Sequence, residues 1–528
     1  MYASPLYADG VTIRSGAVDG VSMSVVFAAT SNGTVYALNA FAIACTAGSI
    51  PAGAILWKTQ LVAPSVVSGL DGGVPLGVLS TPALDVAASK LYVAAMDRPN
   101  GGAAVWKVFA LDASSGAVIS GWPVTLVGTS IEATNTNGPQ AWEPDATQLS
   151  QRSALALSPS ADRLYVSFGG YTDTATGWMV SLDTARAKVV ASFSAARNGP
   201  LGEANGGLWG PGGAAVDGSG ALFMTTGNAP VTAAGVAGTW GDSLLAWGSD
   251  LLLRGTYSPW NYCRDDAYDG DIGGGSPLLL PDQSASGTST PHLVAFGSKQ
   301  GNVYLLDRDA LPGNVKARPP CMSSLTWAAA SSDSSLLPPP GMPYCDPGQP
   351  TQCIRGPLSV FGPYSDAPSA NEDDRAKMRS TPAYFADSSG RAYLFASGTT
   401  KSGDGTKPVP PSLARLQLHL AAGQPAYLAI DATDHELSLA NPGSPVVTSS
   451  AGMGPVVWIV DENAQRSQAL AGASPRPVLY AVDGETLAVL YRSGPQDLTS
   501  GGKYVEPVIA HGMVFVGTDR LQAFGVQP

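Results

Sequence analysis

The residues best suited to chemistry gather between Asn205 and Arg308. Trp209 follows a glycine pair in N-G-G-L-W-G-P-G-G, and Asn228 closes the strand-like run A-L-F-M-T-T-G-N. An acidic knot comes next, with Asp265, Asp266, Asp269 and Asp271 in one short stretch, and Lys299 precedes a Gln-Gly turn in A-F-G-S-K-Q-G-N-V-Y-L-L-D-R. Carboxylates can move protons or hold a hard cation through oxygen, and an ammonium can balance negative charge. Each residue also has a plainer reading. Trp209 can fill a gap between packed sheets, and Asn228 after Gly227 can take a positive-φ turn position. The acidic knot can be a solvated turn, and Lys299 stands where exposed hairpin lysines are common. His292, His419, His435 and His511 lack metal-ligand spacing, and neither a G-x-S-x-G elbow nor a P-loop occurs.

The elements that must position these groups are short strands. One pattern recurs along the chain: a small polar turn, a β-branched or aromatic strand, a Gly or Asn-Gly turn, and a second strand ending in Ala-Leu-Asp or a variant. It is visible in V-V-F-A-A-T-S-N-G-T-V-Y-A-L-N-A (Val25 to Ala40), where Asn32-Gly33 predicts a hairpin with positive φ at both turn residues. It returns in K-L-Y-V-A-A-M-D (Lys90 to Asp97), R-L-Y-V-S-F (Arg163 to Phe168), V-Y-L-L-D-R (Val303 to Arg308), A-Y-L-F-A-S-G (Ala392 to Gly398) and V-L-Y-A-V-D (Val478 to Asp483). Such units cannot bury their faces alone, and radial stacking of four-stranded antiparallel units solves that problem. The expected fold is all-β, an eight-bladed β-propeller spanning residues 1–528 as one domain. From Leu311 to Lys377 the pattern breaks into an irregular Cys- and Pro-rich insertion, expected to be a lid, a partner-binding loop or a solvated insertion.

Composition agrees. The 528 residues include 62 Gly and 42 Pro with only 13% charged residues, which suits many tight turns. A net charge of −12 with 29 Lys and Arg argues against nucleic acid as a partner. No apolar run is long enough to span a membrane. No signal peptide is visible at the start of the chain, as in the mature form of an exported protein. Five cysteines, three of them in the insertion, form no C-x-x-C and no haem-attachment pattern, and point to disulfide use in an oxidising extracellular or periplasmic setting.

The repeat ending in V-F-A-L-D-A-S-S-G-A-V-I-S-G-W (Val108 to Trp122) resembles that of the pyrroloquinoline quinone (PQQ) propellers, with Trp57 and Trp122 as docking residues between blades. The stretch from Asn205 to Arg308 is similar to the quinoprotein alcohol dehydrogenases in particular. What the resemblance implies is a quinone-dependent oxidoreductase acting on an alcohol-like substrate, with PQQ and calcium as cofactors and an external electron acceptor. It makes Trp209 the floor under the quinone, Lys299 a contact to the quinone oxygens, Asp269 the general base, and Asn228 and Asp271 calcium ligands. The chain departs from that family in the third unit. Where a calcium-binding Glu is expected the sequence reads G-G-Y-T-D-T-A-T-G-W, with Asp173 as the candidate substitute, and the adjacent cysteine pair is missing. The alternative is a cofactor-free propeller that binds a protein or carbohydrate, or serves as an assembly subunit.

Overall fold

The structure is a computed structural model of the whole chain. It describes all residues except 46–47, 65, 67–73, 100–101, 132–141, 143–144, 172–174, 197–205, 230–237, 260–261, 268, 317, 319–342, 347–348, 362–375, 463–475, 500–504 and 526–528. Eight antiparallel meanders succeed one another along it. Blade one comprises Leu6–Thr12, Ser22–Ala29, Thr34–Asn39 and Ile55–Gln60, and blade two Ala83–Asp85, Lys90–Asp97, Val105–Asp112 and Val124–Leu126. Blade three is Ala156–Leu157, Arg163–Gly170, Trp178–Asp183 and Lys188–Ser194, with Leu149–Ser150 added at the end of its second strand. Blade four is Ala215–Val216, Leu222–Thr225, Leu244–Trp247 and Leu253–Tyr257. Blade five is Leu278–Leu279, Leu293–Gly297, Val303–Asp307 and Ser359–Phe361. Blade six is Ala383–Ala386, Ala392–Ser397, Leu413–His419 and Tyr427–Thr433, and blade seven Val446–Ser450, Met453–Asp461, Val478–Asp483 and Val489–Arg492. Blade eight has three strands among the described residues, Val508–Ala510, Met513–Gly517 and Leu521–Gly525, against the four expected.

The core is not one mass. Among the described residues eight clusters of buried apolar side chains form, and each joins a blade to its neighbour. Burial therefore depends on the ring being closed, because every blade hides both faces only when flanked. Middle strands are buried along their whole length, as in Trp178–Asp183, whereas outer strands such as Val489–Arg492 are largely exposed. The seam between blades eight and one has the smallest cluster, Val26, Ala40 and Phe515. There the Met1 ammonium donates to the Thr518 carbonyl, and His511 Nε2 lies 2.9 Å from Asp9 Oδ2. Trp57 docks as expected, its indole donating to the Ala113 carbonyl of blade two (3.0 Å). Trp122 packs edge-on to Tyr92 of its own blade (5.6 Å) and against the apolar cluster that joins blades two and three.

Two sequence expectations need correction. The hairpin at Asn32-Gly33 exists, but only Gly33 has positive φ (80°), and its N–H donates to Thr30 O at 2.9 Å. The loop is one residue longer than a two-residue turn, so a right-handed turn precedes a left-handed glycine. The break from Leu311 to Lys377 is also not irregular throughout. Ser359–Phe361 is the outer strand of blade five, and Ala376–Lys377 pairs with Thr399–Lys401. Strands of two or three residues are too short to show alternation. Cys345 stands opposite Cys353 in the backbone register of an isolated hairpin, Pro343–Asp346 with Gln349–Arg355, while Cys321 lies outside the described residues.

Candidate functional site

In each blade the turn between the second and third strands and the chain entering the innermost strand share one end of the ring. In blade four, for example, Thr225 pairs with Leu244 at that end, and Ala215 opens the inner strand opposite Phe223. The sequence-selected residues fall at this end: Trp209 before the inner strand of blade four, Asn228 after its second strand, Asp269 and Asp271 before the inner strand of blade five, and Lys299 in that blade's next turn.

Trp209 and Lys299 meet. The Lys299 ammonium lies 5.0 Å from the centroid of the indole. Glycines make room for that ring: a Cβ on Gly227 would stand 2.6 Å from Trp209 Nε1, and one on Gly169 3.1 Å from Trp209 Cβ. A Cβ on Gly274 would lie 3.1 Å from Lys299 Cγ. Trp209 keeps partial solvent contact, which a residue used only for inter-blade packing would not need.

Lys299 also holds both aspartates. Its ammonium donates to Asp269 Oδ1 (2.6 Å) and to Asp271 Oδ2 (2.9 Å). Asp271 is 2% exposed at its side chain, whereas Asp269 is 59% exposed. Burial alone would lower the Lys299 pKa, but the charges of Asp271 and Asp269 and their hydrogen bonds outweigh it and hold the pKa above the ordinary lysine value. The helix Tyr262–Ala267 delivers this acidic run, and Gly270 N–H caps it by donating to Asp265 O (2.7 Å). Asp269 therefore sits in the left-handed region at φ 55°, a conformation rare for a residue with a side chain and common where a group is held for use.

Asn228 does not have positive φ, so the turn explanation does not apply to it. Its side chain is buried, and its Oδ1 has no protein hydrogen-bond partner. A buried amide oxygen without a donor suits a cation or water. Asp173 lies outside the described residues. Among the described residues no group of three or more His, Cys, Asp and Glu is placed to hold a metal.

Three residues of this end were not singled out from sequence. Arg152 stands with its guanidinium carbon 5.0 Å from the Trp209 ring centroid, so two cations address one indole. Asp242 is fully buried, at φ 45°, and its Oδ1 accepts the Ile272 N–H at 3.3 Å. Burial pushes its pKa well above the carboxylate range, with Asp265, Asp271 and Asp266 acting in the same direction and Arg318 opposing. Arg318 is 2% exposed, donates to Gly241 O (3.0 Å) and covers the Tyr262 ring at 4.4 Å. It arrives on a strap along the outer strand of blade four: Gly313 N–H donates to Thr256 O (2.7 Å), and Lys316 O accepts from Gly238 N–H (3.0 Å). The start of the insertion is thus rooted in the wall of the candidate site. Only the Q-R-S-A-L-A-L entry to a strand could have flagged Arg152, and nothing local marks Asp242 or Arg318.

No protein-family profile matches the sequence, and no curated relative does either. Solved structures do. The quinohemoprotein alcohol dehydrogenase from Comamonas testosteroni superposes with a TM-score of 0.50 at 13% identity, over 97% of this chain and 69% of that one. The quinohemoprotein alcohol dehydrogenase ADHIIG from Pseudomonas putida HK5 gives the same TM-score of 0.50 and identity of 13%, over 97% and 69% of the two chains. A europium-containing methanol dehydrogenase superposes with a TM-score of 0.51 at 14% identity, over 97% of this chain and 83% of that one. At such identities the likeness speaks to architecture, and the chain has the eight-bladed fold of these quinoprotein dehydrogenase propellers.

Proposed function

We propose that the chain is a quinone-dependent oxidoreductase acting on an alcohol-like substrate, with the site built around Trp209. The observation that carries this reading is the pair of cations, Arg152 and Lys299, each 5.0 Å from the centroid of one partly exposed indole in a glycine-cleared recess. A flat anionic ligand such as PQQ fits that chemistry, since the indole offers an apolar plane and the cations offer charge to acidic and carbonyl oxygens. Bound there, the quinone would accept hydride from the substrate carbon. Trp209 would support its plane, and Arg152 and Lys299 would hold its oxygens. Asn228, Asp271 and Asp173 would be the oxygen ligands of a calcium ion. Asp269 would take the hydroxyl proton: its side chain is 59% exposed, and its Oδ1 accepts from the Lys299 ammonium at 2.6 Å.

The whole chain acts as one ring domain in this reading, in the periplasm or outside the cell. The insertion within 311–377, rooted by Arg318, is the natural contact for an electron acceptor or another protein partner. Among the described residues no helix is long and apolar enough to cross a membrane.

A second reading has its own observation. Lys299 is already bonded to two carboxylates, an arrangement that also serves a cofactor-free propeller used for binding or assembly. Dye reduction separates the two. Protein reconstituted with PQQ and calcium should reduce an artificial acceptor when given primary alcohols, and Asp269→Asn should lose turnover while keeping the quinone. Retained quinone with no turnover on any alcohol would leave the binding role standing.

A further inference from the structure

The end of the ring opposite Trp209 carries the turns between first and second strands, as in blade one, where Thr12 pairs with Ser22 beside that turn. The turn of blade one, residues 13–21, is nine residues long, against four in blade two, residues 86–89. Its own bonds and apolar anchors hold it in shape. Ile13 N–H donates to Val21 O (2.9 Å) and Gly20 N–H to Ile13 O (2.8 Å), and the side chains of Ile13 and Val18 are buried. Arg14 N–H then crosses to blade two, donating to Ser114 O (3.0 Å). Between this loop, the inner strand of blade one and two turns of blade two lies a cleft of about 380 Å³.

The lining carries charge of both signs. Arg14 is exposed on it, and among the described residues no hydrogen bond or ion pair engages its guanidinium. Asp9 and Asp112 line the same cleft. Asp9 accepts from the Tyr7 and Ser24 hydroxyls and lies 2.9 Å from His511 Nε2, and it is held down to about 2, first by His511. Asp112 Oδ1 accepts the Ser114 N–H (2.7 Å) and hydroxyl (2.5 Å), while its Oδ2 has no described partner. Thr12 adds a hydroxyl, and Leu84 and Val86, the latter 66% exposed, add an aliphatic side. An anionic ligand would meet two carboxylates here, and a cationic one would meet a guanidinium. A neutral ligand rich in hydroxyls satisfies both signs, because a hydroxyl donates to a carboxylate and accepts from a guanidinium.

We propose that this cleft binds a neutral sugar unit, with the Arg14 guanidinium and the Asp112 carboxylate bonded to its hydroxyls and with Leu84 and Val86 against its C–H face. The volume of about 380 Å³ falls within the roughly 300–1,000 Å³ of small-molecule sites, room for a sugar ring and bridging water. The cleft shares no residue with the recess around Trp209 and lies at the other end of the ring. It gives the propeller a carbohydrate-binding function that does not depend on the oxidoreductase reading.

The test is saturation-transfer NMR and titration calorimetry on the full-length chain without quinone. Glucose, galactose, maltose and cellobiose serve as neutral probes, glucuronate as an anion and glucosamine as a cation. At least one neutral probe should bind with millimolar affinity, more tightly than either charged one. Arg14→Ala should weaken that binding about tenfold or more, the scale of a lost hydrogen bond from a charged donor. Thr12→Trp, which fills the cleft, should abolish it. Trp209→Ala should bind the sugar as wild type does; sugar binding lost there but kept in Arg14→Ala would place it in the quinone recess and overturn the proposal. So would no binding of any neutral probe, a preference for glucuronate or glucosamine, or unaltered affinity in both Arg14→Ala and Thr12→Trp. Arg14 and Thr12 are both exposed, and if one variant does not fold the other decides.

Discussion

The Lys299 ammonium stands 5.0 Å from the centre of the Trp209 indole while bonded to Asp269 and Asp271. One side chain thus joins blade four to the acidic run of blade five, and its charge is set by those partners. Burial would weaken the charged form, but two carboxylates reverse that, so Lys299 remains an ammonium across the physiological range. As its folded pKa is raised, its contribution to stability is complete below the unfolded lysine value and is lost only as pH climbs through the folded one.

Removing that ammonium should be costly. Lys299→Met takes the cation away from Asp271, which is 2% exposed, and breaking a buried pair from one side typically costs about 3–5 kcal/mol. Urea denaturation should show a loss at the lower end of that range, because Asp269 is largely exposed, and Lys299→Arg should recover most of it. A change within about 0.5 kcal/mol, the usual scale of surface substitutions, would mean that the contacts are not formed in solution.

Gly227→Ala tests the recess without touching a charge. Its Cβ would lie 2.6 Å from Trp209 Nε1, so the indole must move. Quinone affinity is expected to fall about tenfold, or about 1.4 kcal/mol, with a shift in tryptophan emission. Unchanged affinity would remove Trp209 from the binding surface.

Arg318 should couple the insertion to the site. Arg318→Met loses the hydrogen bond to Gly241 O and the contact over Tyr262. Loss of a hydrogen bond from a charged donor is worth about 1.5–3 kcal/mol. Amide exchange should quicken at Gly313, whose N–H is bonded to Thr256 O, and in the helix Tyr262–Ala267. Exchange that changes at neither place would detach the strap from the site.

Surface turns give a pH signature. Asp404 is held down to about 2, first by the Ser402 hydroxyl and then by Thr406, and Asp387 to about 2, first by the Ser389 hydroxyl. Because these folded values lie below the unfolded one, the stability they add is present above about pH 4 and is lost as pH falls toward 2. The difference in thermal midpoint between wild type and Asp404→Ala should therefore shrink to nothing on acidification. A constant difference would contradict those hydrogen bonds.

The repeat of short apolar strands with Gly and Asp turns made the ring legible, because each blade is a local meander with local signals. Trp209, Asn228, Asp269, Asp271 and Lys299 were legible for the same reason: they stand at strand ends that the pattern locates. Arg152 was not, since its partner Trp209 belongs to the next blade and only ring closure brings them together. Asp242 and Arg318 were hidden likewise, one in a buried left-handed turn and the other on an insertion without periodicity.

The central claim is that the recess between Arg152, Trp209 and Lys299 receives a planar quinone. Its most direct measurement is the absorbance of PQQ that stays with the protein through gel filtration after incubation with calcium, for wild type beside Trp209→Ala. The account predicts one quinone per chain for wild type and none for the variant. Quinone that elutes free of wild type, or binds Trp209→Ala equally well, would contradict it.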